Sequence, residues 1–142
     1  MNMPRYIPKS VPGIGIQDLC MKHWFPQLLY KNSSGQKYWE GKLQTSNGQG
    51  SILYTVKIVY RYERSPRVYV INPAIDKNAP HRYPDNSLCL YFPPERSWHA
   101  NSMIAKTIVP WICEWLYNYE VWLEYGEWYA DEVKHDKAKI RD

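Results

Sequence analysis

Hydrophobic and polar positions change period twice along this 142-residue chain, dividing it into helix, sheet and helix. Residues 16–24, IQDLCMKHW, carry Ile16, Leu19, Cys20 and His23/Trp24 at helical spacing, and Pro26 stops the run. That spacing predicts a helix with this stripe turned to the core. KNSSGQ, after Tyr30, reads as a loop. KYWEGKLQ then alternates, Tyr38, Glu40 and Lys42 opposing Trp39, Gly41 and Leu43, as a half-buried strand does. Asn47-Gly48 is a strong hairpin signal, and the β-branched and aromatic run SILYTVKIVYRYE after it predicts a long strand. Arg64-Ser65-Pro66 reads as a turn and RVYVINP as a third strand ended by Pro73. Three sequential strands with short connections make an antiparallel meander.

A loop, AIDKNAPHRY, follows, and from Ile108 the period is helical again. Ile108, Ile112, Trp115, Leu116, Tyr119, Trp122 and Leu123 fall on one face. Thr107 is placed to cap this helix, Pro110 lies in its first turn, and Gly126 ends it. EWYADEVKHDKAKIRD reads as a short amphipathic helix running into a charged tail over 134–142. Pro4, Pro8, Pro12 and Gly13 mark residues 1–13 as an extended lead-in. The expected architecture is α+β in a single domain over 1–142, with an antiparallel meander flanked by an N-terminal helix and C-terminal helices.

Composition sharpens this picture in two places. Seven Trp and thirteen Tyr stand against two Phe, so the core is built from rings that keep a polar end. The net charge of +4 is spread along the chain, which argues against a nucleic-acid footprint. Three cysteines at 20, 89 and 113 are odd in number and widely spaced, without a C-x-x-C pair, and the four histidines are equally scattered. Neither a disulfide framework nor a structural metal is expected, and no cofactor is implied. No apolar leader or spanning stretch is present, so a reduced, cytoplasmic protein without membrane attachment is expected.

One stretch carries candidate chemistry. Residues 81–93 read HRYPDNSLCLYFP: a Tyr-Pro-Asp-Asn-Ser turn, a brief apolar run, then Pro93-Pro94. Cys89 follows the turn directly, a placement suited to presenting a thiol. A free cysteine more commonly serves as a small buried hydrophobe, which is the competing reading. Cys20 and Cys113 sit on or beside helical stripes and read as packing, and His23 as a helix-end residue.

Several of these pieces together resemble the ubiquitin-conjugating-enzyme fold. YWEGKL looks like that family's first strand and ILYTVKIVYRY like its second. SPRVYV, at Ser65 to Val70, is similar to the Pro-x-Val start of its third. DNSLCLY resembles the family's active-site signature, Gly/Asn-Ser-Ile/Leu-Cys-Leu, which places the nucleophile at Cys89, and Trp98 stands nine residues beyond, near the tryptophan the family carries there. The resemblance covers roughly residues 14–125. The His-Pro-Asn tripeptide of eukaryotic members is missing; His81 stands eight residues before the cysteine, with Tyr83, Asp85 and Asn86 between. That departure, and the aromatic long helix, look more like the bacterial conjugating-enzyme-like proteins of short type II CBASS antiphage operons. Such operons encode a cGAS-like nucleotidyltransferase and an effector but no activating enzyme.

The resemblance implies a cysteine-dependent protein-conjugating transferase. Cys89 would form a thioester with the C-terminal tail of the nucleotidyltransferase and pass it to acceptor lysines, priming cyclic-nucleotide signalling. A thiolate does this work, and positive charge or donated hydrogen bonds favour it. His81 or Asp85 is placed to accept the amine proton, and Asn86 or Tyr83 to donate to the developing oxyanion. Each has a plainer reading: a solvated histidine, a turn pair in Asp85-Asn86, a bracing tyrosine. The alternative for the whole chain is a catalytically inactive binding module of the same fold that scaffolds the nucleotidyltransferase.

Overall fold

The computed structural model describes residues 11–45, 51–91 and 96–128. The Asn47-Gly48 turn, Pro93-Pro94, the lead-in through residue 10 and the charged tail lie outside them. Helix α1 (Ile14–Trp24) precedes four strands, β1 (Leu29–Ser33), β2 (Gln36–Gln44), β3 (Leu53–Arg61) and β4 (Arg64–Asn72), and helix α2 (Ile108–Tyr125) closes the order. The strands form one antiparallel meander, β1-β2-β3-β4. The architecture is α+β, consistent with a ubiquitin-conjugating-enzyme-like fold.

Alternation in β2 holds as expected: Trp39 and Leu43 are buried, and face Tyr54, Val56 and Ile58 of β3 and Val68 of β4. Onto this face α2 lays Ile108, Val109, Ile112, Trp115, Leu116 and Tyr119. Trp122 is only partly buried and Leu123 is exposed, so the stripe leaves the core one turn before Gly126. Gly126 ends the helix in the left-handed region (φ 78°), its N–H donating to the Trp122 carbonyl at 2.8 Å. At the other end Thr107 holds the cap position without capping; its hydroxyl donates back to Met103 O at 2.8 Å, completing the 3₁₀ turn Ile104–Lys106.

Three expectations need correction. The stretch after Tyr30 is not a loop: Leu29–Ser33 pair along β2, and only Ser34-Gly35 turn. The turn between β3 and β4 is Tyr62-Glu63, and Arg64-Ser65-Pro66 belong to β4. Register shifts between Val59 and Arg61 there, which accommodates a proline that donates no hydrogen bond.

Helix α1 is rotated away from its apparent apolar stripe. Ile16 (56%), Leu19 (67%) and Trp24 (56%) are exposed, whereas Gln17 (2%) and Met21 (0%) are buried. The cause is polar. Gln17 Nε2 donates to Ser102 O and its Oε1 accepts from Ile104 N–H, each at 3.0 Å, and Asp18 accepts from Trp39 Nε1 at 2.9 Å. These bonds fix the helix with Gln17 inward, and Met21, one turn on, follows it into the core.

Gly41 sets the approach of the chain before β1. A Cβ there would overlap the Gln27 carbonyl oxygen and lie 3.0 Å from Leu28 Cα. The crossing backbone seats Leu28 against β2 only because position 41 has no side chain.

Candidate active site

The Cys89 strip runs beside β4, tied by the Leu88 N–H to Val68 O at 2.9 Å, and closes on itself at the Arg82–Leu88 bridge. Leu88 and Leu90 are buried, while Cys89 and Tyr91 between and beyond them are half-buried. The turn before the thiol builds itself from its own side chains. Asn86 N–H donates to Tyr83 O at 2.8 Å and Tyr83 N–H to Ser87 O at 2.9 Å. Asp85 Oδ1 accepts from the Ser87 amide (2.9 Å) and hydroxyl (2.6 Å), and Oδ2 from Tyr69 at 3.1 Å. The Ser87 bonds above all hold the Asp85 carboxyl below its usual range.

Helix α2 positions this loop through the polar ends of its core rings. Tyr119 Oη accepts from Asp76 N–H at 2.9 Å, and Trp115 Nε1 donates to His81 O at 3.0 Å. His81 O also accepts the Cys89 amide at 2.9 Å. Arg96 makes the third tether: it donates to Leu90 O (3.2 Å), pairs with Glu114 (2.8 Å) and stacks on Trp111 (4.9 Å). The thiol strip is thus held to one helix at three points.

The predicted site residues divide accordingly. His81 (φ 59°) lines a crevice with Cys89, its ring 5.0 Å from that of Trp128. Burial first, and the neighbouring Cys89 side chain second, push the Tyr83 phenol up to about 12. It stays a neutral hydroxyl at neutral pH. Asp85 is committed to the turn, and Asn86 (φ 72°) is an exposed turn corner. Cys113 packs against the core, where burial raises its thiol.

Sequence reading missed the residues that complete the crevice: Arg96, Glu114, Asn118 and Trp128. Asn118 is buried, its Nδ2 bonded to Glu114 O at 2.9 Å and its Oδ1 without a partner among the described residues. Glu114 and Asn118 flank Trp115 on the helix, and that proximity was the only signal available. The crevice holds about 10 Å³, room for a single water.

Among the described residues no helix is long and apolar enough to cross a membrane, and all three cysteines are free. A family model described as the type II CBASS E2 protein matches residues 17–136 of the chain. No curated protein matches it.

Proposed function

Because this chain belongs to the type II CBASS E2 proteins, and with them to CBASS defence, we propose that it is a conjugating transferase whose nucleophile is Cys89. Its acyl group is the C-terminus of a partner cGAS-like nucleotidyltransferase. The thiolate attacks the carbonyl of an activated carboxyl donor (a mixed anhydride or a thioester); the C–S bond forms and the leaving group departs with its electron pair. A lysine amine then attacks the thioester, the C–N bond forms, and sulfur leaves as thiolate. The amine proton passes to His81, which shares the crevice with the sulfur. Asp85 is the second acceptor, if the turn opens.

The observation that carries this reading is the half-buried Cys89 sharing its crevice with His81, a thiol with an imidazole beside it. Cys89→Ala is expected to abolish a reductant-sensitive adduct with the nucleotidyltransferase while circular dichroism stays unchanged. An adduct that persists in that variant removes Cys89 as nucleophile. The tightness of the crevice favours one other reading, a scaffold that holds the partner without acylation. Copurification indifferent to Cys89→Ser, with no covalent species by mass spectrometry, would establish it.

A further inference from the structure

On the other side of the Cys89 strip lies a larger pocket, about 170 Å³, that the proposed reaction leaves unused. Its polar lining is Arg61, Ser65, Arg67, Tyr83 and Tyr91. Two guanidinium groups share it, and among the described residues neither has a carboxylate within ion-pair distance. Arg61 donates to Ser65 O at 2.7 Å and feels desolvation, then repulsion from Arg67 and Arg64, which together lower its pKa. The carboxylate whose field reaches Arg67 is Asp85, already committed to Ser87 and Tyr69. The Tyr91 hydroxyl is buried beside Ser65 without hydrogen-bond geometry to any described group. Arg67 lies 5.0 Å over the Tyr83 ring, and Leu88 and Leu90, on either side of Cys89, line the same pocket. Uncompensated positive charge with an idle phenol donor is a place for an oxyanion, beside the strip that carries the sulfur.

We propose that this pocket is an anion subsite for the acyl donor, binding a phosphate or carboxylate carried close to the reacting carbonyl. The proposal rests on the reading of Cys89 as acyl carrier. A phosphate here is the leaving group of a phosphoryl-activated carboxyl; a carboxylate is an acidic side chain of the incoming tail.

The test needs no partner. Cys89 of the full chain is alkylated with iodoacetate or with iodoacetamide, which share a leaving group and differ in charge, and the Cys89 peptide is followed by mass spectrometry. The rate ratio of iodoacetate to iodoacetamide is expected to fall about fivefold in Arg67→Gln and to recover in Arg67→Lys. Inorganic phosphate and acetate are then added as competitors to the wild type. Protection by phosphate alone supports the leaving-group source, and protection by acetate as well supports the acidic side chain. A ratio indifferent to Arg67→Gln, with no protection by either anion, overturns the subsite. If Arg67→Gln fails to fold, Tyr91→Phe and the wild-type competition decide it in the same terms. Charge selectivity absent while the Cys89-dependent adduct forms removes the subsite and leaves the acyl carrier. Selectivity without any adduct removes the acyl carrier and leaves the anion site.

Discussion

At the scale of single residues, the setting of Cys89 is made by neighbours whose apolar bodies serve the core and whose polar tips serve the loop. Tyr83 is the sharpest case: its ring lies under Arg67 and its phenol feels the neighbouring Cys89 side chain. Tyr83→Phe keeps the ring and removes the donor. The rate of adduct formation is expected to fall about tenfold in single-turnover measurements, the effect of one hydrogen bond to a charged group, with the melting temperature little changed. An unchanged rate would mean that the phenol only braces the turn. Cys113, whose thiol is raised by burial, is expected to react with iodoacetamide well after Cys89 at neutral pH, read by peptide mass spectrometry.

Among the elements, α1 and β2 carry constraints that apolar pattern alone does not reveal. Gln17→Leu makes α1 more hydrophobic on its buried side, yet it strips Ile104 N–H of its acceptor and Ser102 O of its donor. Urea unfolding is expected to show a loss of about 2 kcal/mol; a gain would mean that packing, and not the amide, sets the helix rotation. Gly41→Ala forces the Gln27–Leu28 backbone off the sheet and is expected to cost about 3 kcal/mol in the same assay. The strands β2 to β4 and the long helix were legible because each alternates or repeats against a core. Strand β1 was not, since all five of its residues are exposed and its pairing with β2 leaves no buried alternation to read. The rotation of α1 escaped for the complementary reason: a glutamine counts as polar in a periodicity although its amide is fully satisfied inside.

For the molecule as a whole, the sheet and α2 are joined at one end by Glu120, which accepts from Tyr54 at 2.6 Å and from Thr45 at 3.1 Å. Burial, and then Glu120, hold the Tyr54 phenol well above its ordinary range, and the residue is only 1% exposed. Its folded value exceeds its unfolded one, so its contribution is intact below about pH 10 and lost as pH rises beyond it. Stability is expected to decline there by up to about 1.4 kcal/mol per pH unit from this group. Tyr54→Phe should flatten that share of the alkaline limb in urea titrations between about pH 8 and 11. The thiol itself was legible in the sequence, because a turn cluster and a short apolar run announce it. Its surroundings were not: Arg61 and Arg67, on the β3–β4 hairpin, and Arg96, beyond the strip, line separate pockets beside it only once the chain is folded.

One oxygen, the carbonyl of His81, receives both the Cys89 amide and the Trp115 indole. Both of its lone pairs are then occupied, so opening the His81 end of the thiol strip surrenders its bond to the long helix and its bond to the Cys89 amide in the same fluctuation. Deuterium from the solvent should therefore enter those two N–H groups together, and thermal breathing at the sulfur is geared to the aromatic spine behind it.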